Sequence, residues 1–166
     1  SVNLDPIAVE KIKTRGLEAV LCRAEEFHDD ENGFVPDLFI LFETLEHFFD
    51  PISFLRTMAD KSPCQNIVLT VPYLKSSRVG MGHIRDGSSR TVTAENTHIF
   101  ELCPEDWDLI FSFAGWEVIH KEKYKQYPGF NWLSMTKYLW RRWDFDGFYG
   151  VILKRNLSTS DRYLSW

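Results

Sequence analysis

At 166 residues the chain can bury one compact core but not two full ones. Hydrophobic residues make up 44% and charged residues 26%, a balance that excludes a disordered tract. A formal net charge of -5 argues against a protein built to grip nucleic-acid backbone, and no apolar run is long enough to cross a bilayer. No signal-peptide pattern opens the chain. Cys22, Cys64 and Cys103 are odd in number, widely spaced and without a CxxC pair. That fits reduced thiols and a cytoplasmic setting better than a disulfide framework or a zinc site.

Residues 1–5 read as the end of a strand running into a turn. Asp5 caps and Pro6 opens a helix over 6–15, which Gly16 ends. A short strand over 19–22 follows, then an acidic loop over 25–32. The run 37–42 is apolar and flanked by polar loops, and it reads as a strand buried on both faces of a parallel sheet. A helix over 51–60 gathers Ile52, Phe54, Leu55 and Met58 on one side. A second buried strand over 66–71 is stopped by Pro72. Residues 75–96 are rich in Gly, Ser, Arg and Thr and show no sustained period; a connection that long is more often functional than idle. Pro104 opens a helix to Ala114, Gly115 stops it, and 116–124 alternates as a strand. A helix over 131–143, a last strand over 147–154 and a polar tail complete the order. The aromatics crowded after Tyr124 read as packed core.

Alternating strands and helices imply an α/β fold: a Rossmann-like, doubly wound, mainly parallel sheet with helices on both faces, over residues 1–156, with 157–166 as tail. Ligands in such sheets bind beyond the carboxyl ends of the strands, so the residues just after Leu4, Arg23, Phe42 and Val71 face the expected cleft. Tyr73 stands there after the strand over 66–71. His83 and His98 flank the long loop. Without close spacing or a third ligand they do not read as a metal pair, but they suit substrate contact or general-base work. Arg85 and Arg90 could hold an anionic substrate group. For each of these the alternative is an ordinary solvated loop residue.

The stretch DLFILFETLEHFFDP (37–51) resembles the fourth-strand motif of class I S-adenosylmethionine-dependent methyltransferases of the type 11/23-like group. NIVLTVP (66–72) is similar to the fifth strand of that family, and HIFELCPEDW (98–107) with FAGWEV (113–118) to its later segments. The resemblance implies S-adenosylmethionine as cofactor and methyl transfer to a small-molecule or glycan-type acceptor. On the cofactor it implies Asn3 and Leu4 at the ribose, Arg23 and Ala24 at the adenine, and Phe42, Glu43 and His47 around the methionine and sulfonium. His47 and His98 become the catalytic candidates, and Tyr73, His83 and Arg85 the substrate contacts. The family's glycine-rich first strand has no counterpart; the one GxG, Gly80-Met81-Gly82, falls in the long loop. The sheet is therefore expected to be incomplete at its N-terminal side, completed by a further N-terminal segment or a second copy of the chain. A non-catalytic, methyltransferase-like module with a degenerate cofactor site stays open as the alternative.

Overall fold

Capping chemistry places the first helix. In a computed structural model, which describes residues 1–3, 5–26, 36–80, 85, 87, 91, 97–126, 132, 135–136, 139 and 146–163, Asp5 accepts a hydrogen bond from the Ile7 amide at 2.9 Å. Helix α1 (Pro6–Lys13) starts there, and Gly16, at φ 76°, takes the left-handed conformation that stops it. The helix joins β1 (Val2–Asn3) to β2 (Val20–Leu21), which pair in parallel. This strand–helix–strand lies in the first of two compact units, Ser1–Pro36.

The second unit, Asp37–Trp166, holds a four-stranded sheet in the order β3-β4-β8-β7. Its strands are β3 (Phe39–Phe42), β4 (Asn66–Tyr73), β7 (Trp116–Lys125) and β8 (Gly147–Arg155). Strands β3 and β4 run parallel, while β8 is antiparallel to both β4 and β7. The α/β architecture is as expected, but the second half of this sheet is antiparallel. Strand β8 returns alongside β7 as its antiparallel partner and so also runs against β4.

One face of the sheet makes the core. Ile67, Leu69 and Val71 of β4 register against Leu153, Val151 and Tyr149 of β8, and none of the six is more than 2% exposed. Helix α2 (Pro51–Lys61), capped by Asp50, adds Leu55, Met58 and Ala59. Helix α3 (Pro104–Phe113) adds Trp107, Ile110 and Phe111. The Trp116 indole N–H donates to the Leu55 carbonyl at 2.9 Å, and that of Trp107 to the Pro72 carbonyl at 3.4 Å, so both buried rings have their polar atom satisfied. Each fully buried aliphatic side chain here contributes about 1.5–3 kcal/mol.

Three sequence expectations need correction. Strand β3 is not buried on both faces: Ile40 is 57% and Phe42 58% exposed, because β3 lies at the edge of its sheet and presents one face to solvent. Pro72 does not stop β4, which runs on to Tyr73; β3 has already ended opposite Thr70, so no ladder bond on that side needs a donor from Pro72. The loop over 75–96 contains β5 (Arg78–Val79), paired antiparallel with β6 (Phe100–Glu101). The polar tail forms two short turns. Its turns Leu157–Thr159 and Asp161–Tyr163 dock on α3, where Thr159 Oγ1 bonds the Ser112 carbonyl at 3.1 Å and Tyr163 meets Phe113 edge-to-face at 4.3 Å. Of the late aromatics, Tyr149 is core, whereas Trp132, on the described helical positions of 131–143, is 74% exposed. The three cysteines are unpaired. No helix among the described residues is long and apolar enough to cross a membrane.

Candidate active site at the carboxyl ends of β3 and β4

Where β3 ends, the chain bends sharply. Glu43 adopts φ 49°, a left-handed conformation that a side chain rarely takes and that costs about 1–2 kcal/mol. Thr70 on β4 fixes the bend twice. Its carbonyl accepts the Glu43 amide at 3.0 Å, and its hydroxyl donates to Glu43 Oε1 at 2.6 Å. The chain then makes the short turn Leu45–His47, in which Leu45 and Glu46 are both 0% exposed, before Asp50 starts α2. The result is a rigid elbow over the ends of two parallel strands.

A second segment is stitched onto this elbow by backbone hydrogen bonds. The β5–β6 pairing aligns residues 97–101, with the Gly80 amide bonded to the Ile99 carbonyl at 2.6 Å. The Ile99 amide in turn bonds the Glu46 carbonyl at 2.8 Å. These contacts bring His98 beside His47, their ring centroids 5.0 Å apart and nearly perpendicular.

Both imidazoles are oriented through Nδ1. We assign Nδ1–H of His47 as donor to the buried Thr97 carbonyl at 2.8 Å, and Nδ1–H of His98 as donor to Glu101 Oε1 at 3.1 Å. Glu101 is itself buried and takes the Arg78 Nε–H on its other oxygen. A proton on Nδ1 places the lone pair of each ring on Nε2. In His47 that nitrogen lies 3.7 Å from Glu46 Oε1. Neither carboxylate oxygen of Glu46 has a hydrogen-bond partner among the described residues.

The electrostatics follow from burial and crowding. Burial pushes the Glu46 carboxyl up to about 8, with the Glu43 charge adding to the effect. Burial also raises Glu43, against the opposing hydrogen bond from Thr70. For His98, burial alone would lower the pKa. The hydrogen bond to Glu101 and the charges of Glu46, Glu101 and Glu43 more than offset it, so the net shift is upward. Burial would likewise raise Glu101, but His98 and Arg78 hold it below its ordinary value. Such an array can bind a cation, take up a proton or polarise an acceptor hydroxyl.

The structure thus brings together four residues that the sequence singles out: Phe42, Glu43, His47 and His98. Tyr73 sits at the end of β4, half-buried, with the Lys123 ammonium 5.7 Å from its ring centre. Arg85 is exposed and donates to the Val79 carbonyl at 3.3 Å. In the first unit, Asn3 Oδ1 accepts the Asp5 amide at 2.8 Å, which gives Asn3 a local turn-forming task. Arg23 is exposed and lies 4.0 Å from Glu26, and Ala24 opens the short turn Ala24–Glu26. Leu4, His83 and Arg90 lie outside the described residues. Sequence reasoning missed Glu46 as a candidate in its own right, and missed Glu101 and Arg78 altogether. The i, i+3 spacing of His98 and Glu101 was the one available signal.

No family model matches the sequence, and no curated protein matches it. Solved structures do. A candidate methyltransferase, solved in complex with the Haloferax volcanii Trm112 methyltransferase activator, superposes with a TM-score of 0.59 at 14% identity, over 93% of this chain and 70% of the other. The 1,6-didemethyltoxoflavin-N1-methyltransferase of Burkholderia thailandensis, solved with S-adenosylhomocysteine, gives 0.60 at 11% identity, over 93% and 60%. The [4+2]-cyclase SpnF gives 0.60 at 12%, over 94% and 65%, so similar architecture also carries other chemistry. The chain spans 60 to 70% of the length of these three. The chain thus shares the α/β fold of these solved structures, among them S-adenosylmethionine-dependent methyltransferases, over nearly its whole length.

Proposed function

We propose that the chain belongs to an S-adenosylmethionine-dependent methyltransferase acting on a small-molecule or glycan-type acceptor. The observation that carries this reading is the Glu43 elbow, a strained bend at the carboxyl ends of β3 and β4, where ligands of such sheets bind. Two residues of the second unit fit the cofactor. Phe42 offers an exposed ring face suited to a sulfonium, and beside it Glu43 offers a carboxylate already oriented by Thr70. The family resemblance, not the geometry, carries the assignment of Asn3, Leu4, Arg23 and Ala24 to its ribose and adenine, and of His47 to its methionine side. When bound, the cofactor supplies a methyl group activated by the sulfonium, so the protein has mainly to align the acceptor and exclude water.

The acceptor side falls to the cluster of Glu46, His47 and His98, with Tyr73, His83 and Arg85 as further substrate contacts. Glu101 and Arg78 hold His98 in one tautomer and orientation. The test is calorimetric titration of the chain with S-adenosylhomocysteine and S-adenosylmethionine. One equivalent should bind, and Phe42→Ala should weaken binding by roughly tenfold, the loss of one cation–π contact with its packing. No heat and no thermal shift from either ligand sinks the reading. Tight binding without methyl transfer to any acceptor in a broad panel would favour the non-catalytic module instead.

A further inference from the structure

Glu46 is the least explained side chain in the second unit. It is 0% exposed, and neither of its carboxylate oxygens has a hydrogen-bond partner among the described residues. A buried carboxyl in that condition is costly to ionise unless a cation takes the place of its proton. One ligand atom each from Glu46, His47 and His98 lies within 4.8 Å of the other two. Ligands bound about 2.0–2.2 Å from one ion stand roughly 3–3.5 Å apart, so a contraction of up to about 1.5 Å closes the site.

The surroundings match what a metal needs beyond its ligands. Each histidine is anchored through Nδ1, His47 on the Thr97 carbonyl and His98 on the Glu101 carboxylate, which places the coordinating lone pairs on Nε2. Glu101 is held in turn by Arg78. The carboxylates of Glu43 and Glu101 add negative potential around the trio. The sequence spacing set His98 against His83 and gave no third ligand. The fold supplies His47 and Glu46 instead, through the bond from the Ile99 amide to the Glu46 carbonyl.

We propose that Glu46, His47 and His98 form a binding site for one divalent transition-metal ion, with two imidazole nitrogens and one carboxylate as donors and open positions for a further ligand. This donor set suits zinc and its first-row neighbours rather than calcium. Binding of the ion stands without the methyltransferase reading; only its use rests on that reading. An acceptor hydroxyl would occupy an open position, give its proton to solvent and present an alkoxide to the methyl group. The new C–O bond then forms as the C–S bond breaks, and S-adenosylhomocysteine leaves. In that scheme the two histidines act as ligands rather than bases.

The test is titration of the chelator-treated chain with Zn²⁺ alone, followed by calorimetry and by nitrogen-15 NMR of the histidine rings. One equivalent should bind, and two of the five histidine rings should become Nδ1–H with a metal-shifted Nε2. His98→Ala should weaken binding at least 100-fold. Glu101→Gln, which keeps the ligands and removes only the positioning carboxylate, should weaken it by about 10–100-fold. His120→Ala, on exposed β7, should leave it unchanged. The ring spectra of the unmutated chain keep the test meaningful even if a variant fails to fold. Absence of saturable binding, shifts in any other number of rings, or full binding by His98→Ala overturns the proposal. A chain that binds S-adenosylhomocysteine but not Zn²⁺ refutes the metal site alone, and the converse refutes the methyltransferase reading alone.

Discussion

Asp50 shows a residue whose role follows from its place in the sequence. It precedes Pro51, accepts the Ser53 amide at 2.9 Å, and is held below the ordinary aspartate range mainly by its hydrogen bonds to Ser53. Asp50→Ala should cost about 1 kcal/mol in urea denaturation at neutral pH. Because the folded pKa is depressed, that contribution is full above the unfolded value near 3.9. It fades as pH falls through the lower folded value, and the gap between wild type and variant should shrink with it. Glu46 is the contrary case. The sequence places it in a recognisable segment, yet its meaning depends on His98, 52 positions later, and on burial that no local pattern encodes. Residues that cap or break elements are legible in sequence because the physics is local. Residues that meet across the fold are not.

At the scale of elements, the long strands and helices announce themselves by pattern, and the short pieces do not. Helices α2 and α3 start at Asp50-Pro51 and Cys103-Pro104 and appear within a residue or two of expectation. Strands β5 and β6 have two residues each, too few to show a period, yet they carry His98 to the site. The β7–β8 pair depends on close approach at the end where residues 126–146 connect the two strands. A Cβ on Gly147 would come within 2.0 Å of the Tyr124 carbonyl oxygen, which is backbone and cannot step aside. Gly147→Ala should therefore destabilise by more than about 2 kcal/mol, an overpacking cost that chemical denaturation would read directly. An unchanged midpoint would mean that the two strands part more easily than their register suggests. At the same end, Tyr149 donates to Asp108 at 2.6 Å and ties β8 to α3.

For the molecule as a whole, the telling feature is the outer edge of β3. It carries Phe39-Ile40-Leu41-Phe42, pairs only with β4 among the described residues, and leaves Ile40 and Phe42 exposed. A flat apolar edge of this kind invites pairing with another strand. The isolated chain should self-associate with rising concentration in sedimentation velocity, and Ile40→Lys should shift it toward monomer. A chain that stays monomeric at high concentration would contradict this. Sequence reasoning expected β3 to be buried on both faces because FILF carries no polar residue; it could not tell a central strand from one whose neighbour is absent from its own unit.

The backbone hydrogen bond that joins the two halves of the site gives it a clock. The Ile99 amide is bonded to the Glu46 carbonyl, and no exchange with solvent can occur there until the Leu45–His47 turn and the His98 segment part. Its deuterium uptake therefore measures how often the pocket comes apart at rest. A ligand that clasps both sides should slow that uptake by the same factor by which it favours the closed form, whereas a ligand touching only one side should leave it unchanged. A single backbone nitrogen thus reports on binding without any turnover being observed.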